Sequence, residues 1–176
     1  MSTRNLTAAV WTVALAIGTG AALAETPRLG KPISQADLAE WDINILPDGS
    51  NLPPGSGQAA DGAKIFAEKC SLCHGDRGQG GRAARLIGGP PKASLDGGKT
   101  IANYWPYATT LFDFIRRAMP FTQPRSLTDQ EVYSLVAYIL AENKLIGESD
   151  VIDATTLPKV RMPNRDNFVV QFPDRI

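Results

Sequence analysis

In the 176-residue chain, Cys70-Ser71-Leu72-Cys73-His74 is the stretch whose residue types and spacing could do chemistry. Two thiols three positions apart can add to the two vinyl groups of one haem as thioethers. An imidazole placed immediately after them can reach the iron from one face. Residues three apart share a face of a helix, so both sulfurs can meet one porphyrin edge from a helix's last turn. The spacing predicts covalent attachment of one haem c through Cys70 and Cys73, with His74 as an axial ligand.

Two other chemistries use the same residue types. A thioredoxin-like redox dithiol normally follows an apolar strand in a βαβ unit, whereas the residues before Cys70 place their apolar side chains at helical spacing. A zinc centre needs a fourth ligand beside Cys70, Cys73 and His74, and the chain has no other cysteine or histidine. Haem attachment is the reading that survives both tests.

The elements that must position this stretch follow from periodicity and breakers. A helix is predicted over 58–69, with Gly62, Phe66 and Cys70 at steps of four along one face. A glycine inside a helix costs about 1 kcal/mol relative to alanine, which points to a second backbone passing close to Gly62. A last helix over 129–143 starts at the capping box Thr128-x-x-Glu131 and presents Val132, Leu135, Val136 and Ile139, with Tyr138 at the edge of that face. Crossing the two helices at Gly62 would bury Phe66 against Leu135 and Tyr138. Between them, a helix over 110–118 is stopped by Pro120.

Residues 1–24 read as a secretory signal peptide: Arg4 in the first residues, an apolar run over 6–23, and the small-x-small site Ala22-Leu23-Ala24. The run is short and diluted by threonine and glycine, so cleavage and a periplasmic mature chain are expected, without stable membrane insertion. Three parts follow: a proline-rich N-terminal arm over 25–56 with a helical turn over 34–40, an all-α haem domain over 57–146, and a second extended arm over 147–176. Both arms are expected to add little core. The 18 basic and 18 acidic residues cancel, which gives no case for nucleic acid as partner. The balance is local: 61–125 holds ten Lys/Arg against five Asp/Glu, and 25–54 holds two against five. A basic haem region could steer an acidic partner, and an ordinary solvated surface is the alternative.

The order Gly62-x-x-x-Phe66-x-x-x-Cys70-x-x-Cys73-His74, a Gly-Pro pair, a lone methionine, and a final helix with Leu135-x-x-Tyr138 resembles the class I cytochromes c. The resemblance implies an all-α fold in which first and last helices cross and a methionine loop closes the second haem face. It also implies a proline carbonyl that orients the ligand histidine, for which Pro90 is the candidate and Pro91 its rival. With one histidine in the chain, paired histidine ligation is excluded, leaving the thioethers of Met119 and Met162 in the mature chain. Met119, held between a helix end and Pro120, is favoured, with core filling as the alternative role for either methionine. Trp105, in Asn103-Tyr104-Trp105-Pro106-Tyr107, is either core packing or an indole N–H directed at the haem propionates.

A narrower resemblance spans the mature chain. Trp41-Asp42-Ile43, Leu52-Pro53-Pro54-Gly55-Ser56-Gly57, Trp105-Pro106-Tyr107-Ala108-Thr109-Thr110-Leu111-Phe112-Asp113, Arg116-Arg117-Ala118-Met119-Pro120 and Lys159-Val160-Arg161-Met162-Pro163 are similar to phrases of the cytochrome subunits of bacterial sulfite and sulfur dehydrogenases. That resemblance implies a molybdenum sulfite dehydrogenase catalytic subunit as electron donor, a downstream cytochrome or oxidase as acceptor, and no catalytic residues in this chain. Arg77, Arg82, Lys92, Arg116 and Arg125 would flank the docking face. A freely diffusing shuttle is the second reading. A haem enzyme or gas sensor with an open iron site is the third, and a methionine ligand counts against it.

Overall fold

The computed structural model describes residues 29–88 and 98–169, which divide between two units, 1–39 and 40–176. Ser34, in the first unit, opens helix α1 (Gln35–Trp41), which runs over the boundary at 39/40, with a reciprocal cap. The Asp37 N–H donates to the Ser34 hydroxyl at 3.1 Å, and the Ser34 N–H donates to the Asp37 carboxylate at 3.2 Å.

The second unit carries β1 (Ser56–Gln58), α2 (Ala59–Lys69), α3 (Ser71–His74), α4 (Ile101–Tyr104), α5 (Ala108–Ala118), α6 (Asp129–Glu142) and β2 (Val151–Asp153), in that order. Single 3-10 turns follow at Leu157–Lys159 and Arg165–Asn167. No described helix is long and apolar enough to cross a membrane.

The crossing expected from the sequence is present. A Cβ on Gly62 would fall on the Ser134 carbonyl of α6 and 2.7 Å from the Tyr138 Cβ, so only hydrogen fits between the two backbones. The approach lets Phe66 lie 5.0 Å from the Tyr138 ring, centroid to centroid, with Leu135 buried in the same core. Gly57 of β1 makes a second backbone approach: a Cβ there would meet Ser134 Cα at 2.5 Å. Both glycines thus seat on one residue of α6.

The last helix differs from the expected amphipathic element. Every residue from Val132 to Ala141 is buried, so α6 is a central helix enclosed all round. On one side α5 packs Phe112 onto Tyr133 at 4.5 Å between ring centroids. The remaining faces are closed by the arms. Ile45 comes from the N-terminal arm, and Ile152, Leu157 and Met162 from the C-terminal one, all joined to the same core. β1 pairs antiparallel with β2, Gly57 opposite Ile152, and the Tyr133 hydroxyl donates to the Pro53 carbonyl at 2.8 Å. Burial pushes the Tyr133 phenol up to about 12, so it stays a donor. The arms therefore supply core, contrary to the expectation that they add little. Three-residue strands and single turns are too short to show a period in sequence.

Polar contacts tie the elements at their ends. The Arg117 guanidinium donates to both carboxylate oxygens of Asp113 and to Asn44 Oδ1 at 2.6 Å, while Asp113 also accepts from the Ile45 N–H at 3.2 Å. Thr128 and Glu131 form the expected capping box of α6, and Glu131 also accepts from Lys69 Nζ, at the end of α2, at 2.6 Å. The Lys69 ammonium, then the Thr128 N–H, hold the Glu131 carboxyl below its usual range.

Two outcomes follow. Gly62→Val should cost about 1–3 kcal/mol through overpacking, lowering the melting temperature by about 2–4 °C per kcal/mol in a chain of this size; an unchanged melting curve would place Gly62 outside the crossing. Glu131→Gln should cost about 1 kcal/mol at neutral pH, because the amide keeps the bond from the Thr128 N–H but loses the charge that pairs with Lys69. Because the folded carboxyl titrates below its unfolded value near 4.3, its contribution is full above that value and lost as pH falls through the folded one. Wild type and Glu131→Gln should therefore converge in stability in acid, as measured by denaturant titration across pH 3–7.

Candidate haem site

The Cys-x-x-Cys-His stretch is expected on the last turn of the first helix, but the structure breaks the chain there. α2 ends at Lys69; Cys70, at φ −125° and ψ −33°, caps it and opens the separate turn α3. Ser71 contributes to the break, because its hydroxyl donates to the Ala67 carbonyl at 2.7 Å and so takes an acceptor that a continuing helix would offer to the Ser71 N–H. Within α3 the N–H groups of Cys73 and His74 both donate to the Cys70 carbonyl, at 3.2 and 3.0 Å. The two cysteines form no disulfide with one another; Cys70 is partly buried and Cys73 exposed.

Burial pushes the Cys70 thiol up to about 11. A partly buried, apolar setting of that kind suits a neutral thioether as well as a neutral thiol.

The His74 ring is oriented by the backbone. Its Nδ1 lies 2.8 Å from the Ala84 carbonyl oxygen. A carbonyl only accepts, so Nδ1 carries the proton and Nε2 keeps the lone pair a metal needs. Among the described residues the acceptor is Ala84; Pro90, the residue expected in that role, and its rival Pro91 lie outside the described residues. The tight return of the loop after His74 brings Ala84 to the ring. Gly75, Gly78 and Gly80 take positive φ, and bonds from Gly80 N–H to the His74 carbonyl (2.8 Å) and from Ala83 N–H to the Cys73 carbonyl (2.8 Å) fold it back within ten residues.

Met119 caps the C-terminus of α5, its N–H bonded to the Ile115 carbonyl at 3.1 Å, and its side chain lies partly buried at the margin of the core. The loop that follows comes alongside the end of α2, since Pro120, Thr122, Gln123 and Ser126 line one surface hollow with Glu68 and Lys69. Met162 is only 1% exposed and packs inside the core, which meets the core-filling alternative for that residue. Trp105 stacks edge-on against Phe114 at 5.6 Å, in keeping with its packing alternative.

Of the basic residues expected to flank a docking face, Arg77 pairs with Glu142 at 2.7 Å and Arg116 with Asp129 at 2.9 Å. Arg82 and Arg125 are exposed, and Lys92 lies outside the described residues. Sequence reasoning missed Ala84 and Asn143, whose side chain grips the loop that carries Ala84. A helix-ending asparagine near a glycine-rich loop is the one signal available, and many helices end that way.

The residues present fit a haem c: two thiols on one turn, and a histidine whose Nδ1 is engaged and whose Nε2 is left to ligate. The profile of the family described as cytochrome c oxidase, cbb3-type, subunit III matches residues 57–139. Thiosulfate dehydrogenase of Stutzerimonas stutzeri is 34% identical over 90 residues, 49% of this chain and 28% of that protein. Thiosulfate dehydrogenase of Psychrobacter arcticus is 37% identical over 83 residues, 44% of this chain and 24% of that one. The aligned part thus spans about a quarter of these relatives. The crystal structure of the sulfane dehydrogenase SoxCD from Paracoccus pantotrophus superposes with a TM-score of 0.75 at 34% identity, over 85% of this chain and 75% of that one. Residues 57–146 make up about half of the chain, so the last likeness reaches into the arms. A fold shared that broadly, around a motif whose histidine is set for ligation, makes this chain a member of the class I c-type cytochromes, electron-transfer proteins that carry haem c.

Proposed function

We propose that this chain is an exported, periplasmic, monohaem cytochrome that takes electrons one at a time from a molybdenum-containing, sulfite- or sulfur-oxidising dehydrogenase and hands them to a downstream cytochrome or oxidase. The observation that carries this reading is the reach of the SoxCD likeness beyond the haem domain. The thiosulfate dehydrogenase likenesses stop at about half of the chain. Arms packed into the core would give a partner a fixed outer surface in place of two loose tails.

Haem c, when bound, supplies a one-electron couple at the iron. Cys70 and Cys73 would hold it by thioethers, His74 would ligate through Nε2, and Met119 would ligate through its sulfur. Each side chain then has one task. The thioethers would tether the haem to the Cys70–Cys73 turn, the Ala84 carbonyl would raise the basicity of the imidazole, and a Met119 ligand would leave no open site for gas binding or peroxidase chemistry. Substrate chemistry belongs to the partner, and this chain supplies proximity and a suitable potential.

Met119→Ala should abolish the weak near-infrared band of sulfur-ligated ferric haem and lower the midpoint potential, since a thioether favours the ferrous state. Met162→Ala should keep the band and cost about 2–5 kcal/mol of stability as a core truncation. The reverse pattern overturns the ligand assignment.

Stopped-flow reduction of the ferric protein by the purified dehydrogenase and its sulfur substrate tests the partner. The rate should fall as salt rises, the screening length being about 10 Å at 0.1 M, and Arg82→Glu should slow it several-fold at low salt only. Equal reduction by unrelated donors, with no effect of Arg82→Glu, would favour a free shuttle.

A further inference from the structure

The C-terminal end of α6 holds the histidine loop from both limbs. On the outgoing limb, the Arg77 guanidinium reaches the Glu142 carboxylate at 2.7 Å. On the returning limb the Asn143 amide makes three bonds. Its Oδ1 accepts from the Gly88 N–H at 2.8 Å, and its Nδ2 donates to the Leu86 carbonyl at 3.2 Å and to the Ile139 carbonyl of its own helix at 2.8 Å. Both amide protons and the oxygen are engaged, and two of the three partners lie more than fifty residues away in sequence. A helix cap alone would need only the Ile139 bond.

The returning limb is also fixed from within. The Leu86 and Ile87 N–H groups donate to the Gly78 carbonyl at 2.9 and 3.1 Å, and the Ala83 N–H donates to the Cys73 carbonyl at 2.8 Å. Ala84, whose carbonyl faces His74 Nδ1, sits between Ala83 and the Leu86–Gly88 stretch that Asn143 holds. Freed from Asn143, the segment keeps its inner anchors but loses the outer one, so the Ala84 carbonyl gains freedom to swing off the imidazole N–H.

We propose that Asn143 is a positioning residue for the axial histidine: by holding Leu86 and Gly88 it keeps the Ala84 carbonyl on Nδ1 and so sets the ligand's basicity and the iron's potential. A carbonyl bonded to Nδ1–H strengthens donation from Nε2 and favours the ferric state. Loosening that bond raises the potential. The inference rests on His74 as the axial ligand of haem c.

The test uses the full-chain holoprotein. Asn143→Leu keeps the number and branching of side-chain heavy atoms and removes all three bonds; Asn143→Asp keeps an acceptor for Gly88 and removes both donors. Ile152→Val, a core truncation in β2, serves as a stability control. The readouts are the midpoint potential and the exchange rate of the His74 Nδ1 proton in the ferrous protein. The expected result is a raised potential and at least tenfold faster exchange in Asn143→Leu, a smaller change of the same sign in Asn143→Asp, and neither change in Ile152→Val. If Asn143→Leu yields no holoprotein, Asn143→Asp decides by the same readouts. Asn143 variants that lose stability but keep the wild-type potential and exchange rate would reduce the residue to a helix cap. A wild type lacking a low-spin haem spectrum would instead defeat the ligand reading, before any variant is compared.

Discussion

The close approach of two backbones at Gly62 and Ser134 is the constraint on which the other contacts depend. A helix pair separated by ordinary side chains runs 8–10 Å between axes, and replacing one side chain by hydrogen allows a closer crossing. That closeness puts Phe66 on Tyr138. It also sets the direction in which α2 leaves the crossing, and hence where Cys70 and α3 stand. Gly57 uses the same residue of α6 as its seat, so the strand that introduces α2 is registered by the contact that fixes the helix itself.

Burial of α6 on all sides explains why the arms belong to the domain. A helix with ten consecutive buried residues needs cover from every direction, and α2 and α5, of eleven residues each, cannot provide it. Ile45, Ile152, Leu157 and Met162 complete the enclosure, each delivered by a stretch with little regular structure of its own. Haem packing alone would not account for this cover, because Leu157 and Met162 are enclosed by protein side chains.

Much of this was legible in sequence where one residue type has few uses. Cys70, Cys73 and His74 declare their chemistry by spacing, Gly62 by its cost inside a helix, Thr128 and Glu131 by the capping box, and Pro120 by stopping α5. The arms were misjudged because core residues there are spaced by loops, so no period marks them. The Ala84 acceptor for His74 was not legible for a related reason. A backbone carbonyl has no sequence identity, and only the folding back of a glycine-rich loop brings Ala84 to the imidazole. Asn143 was read as the end of a helix, and its longer reach depends on a loop fifty-five residues earlier.

The pairing of β1 with β2 sets an order of events during synthesis and folding. Ser56 meets Asp153, so the ladder closes a loop of roughly a hundred residues, with all of the haem-binding stretch inside it. Closing a long loop is entropically unfavourable until other contacts repay it, and contacts between such distant segments form late. A ribosome delivers Cys70–His74 well before it delivers Val151–Asp153. Cys70–His74 are therefore presented on a chain whose ladder cannot yet close, and the returning tail seals the domain last.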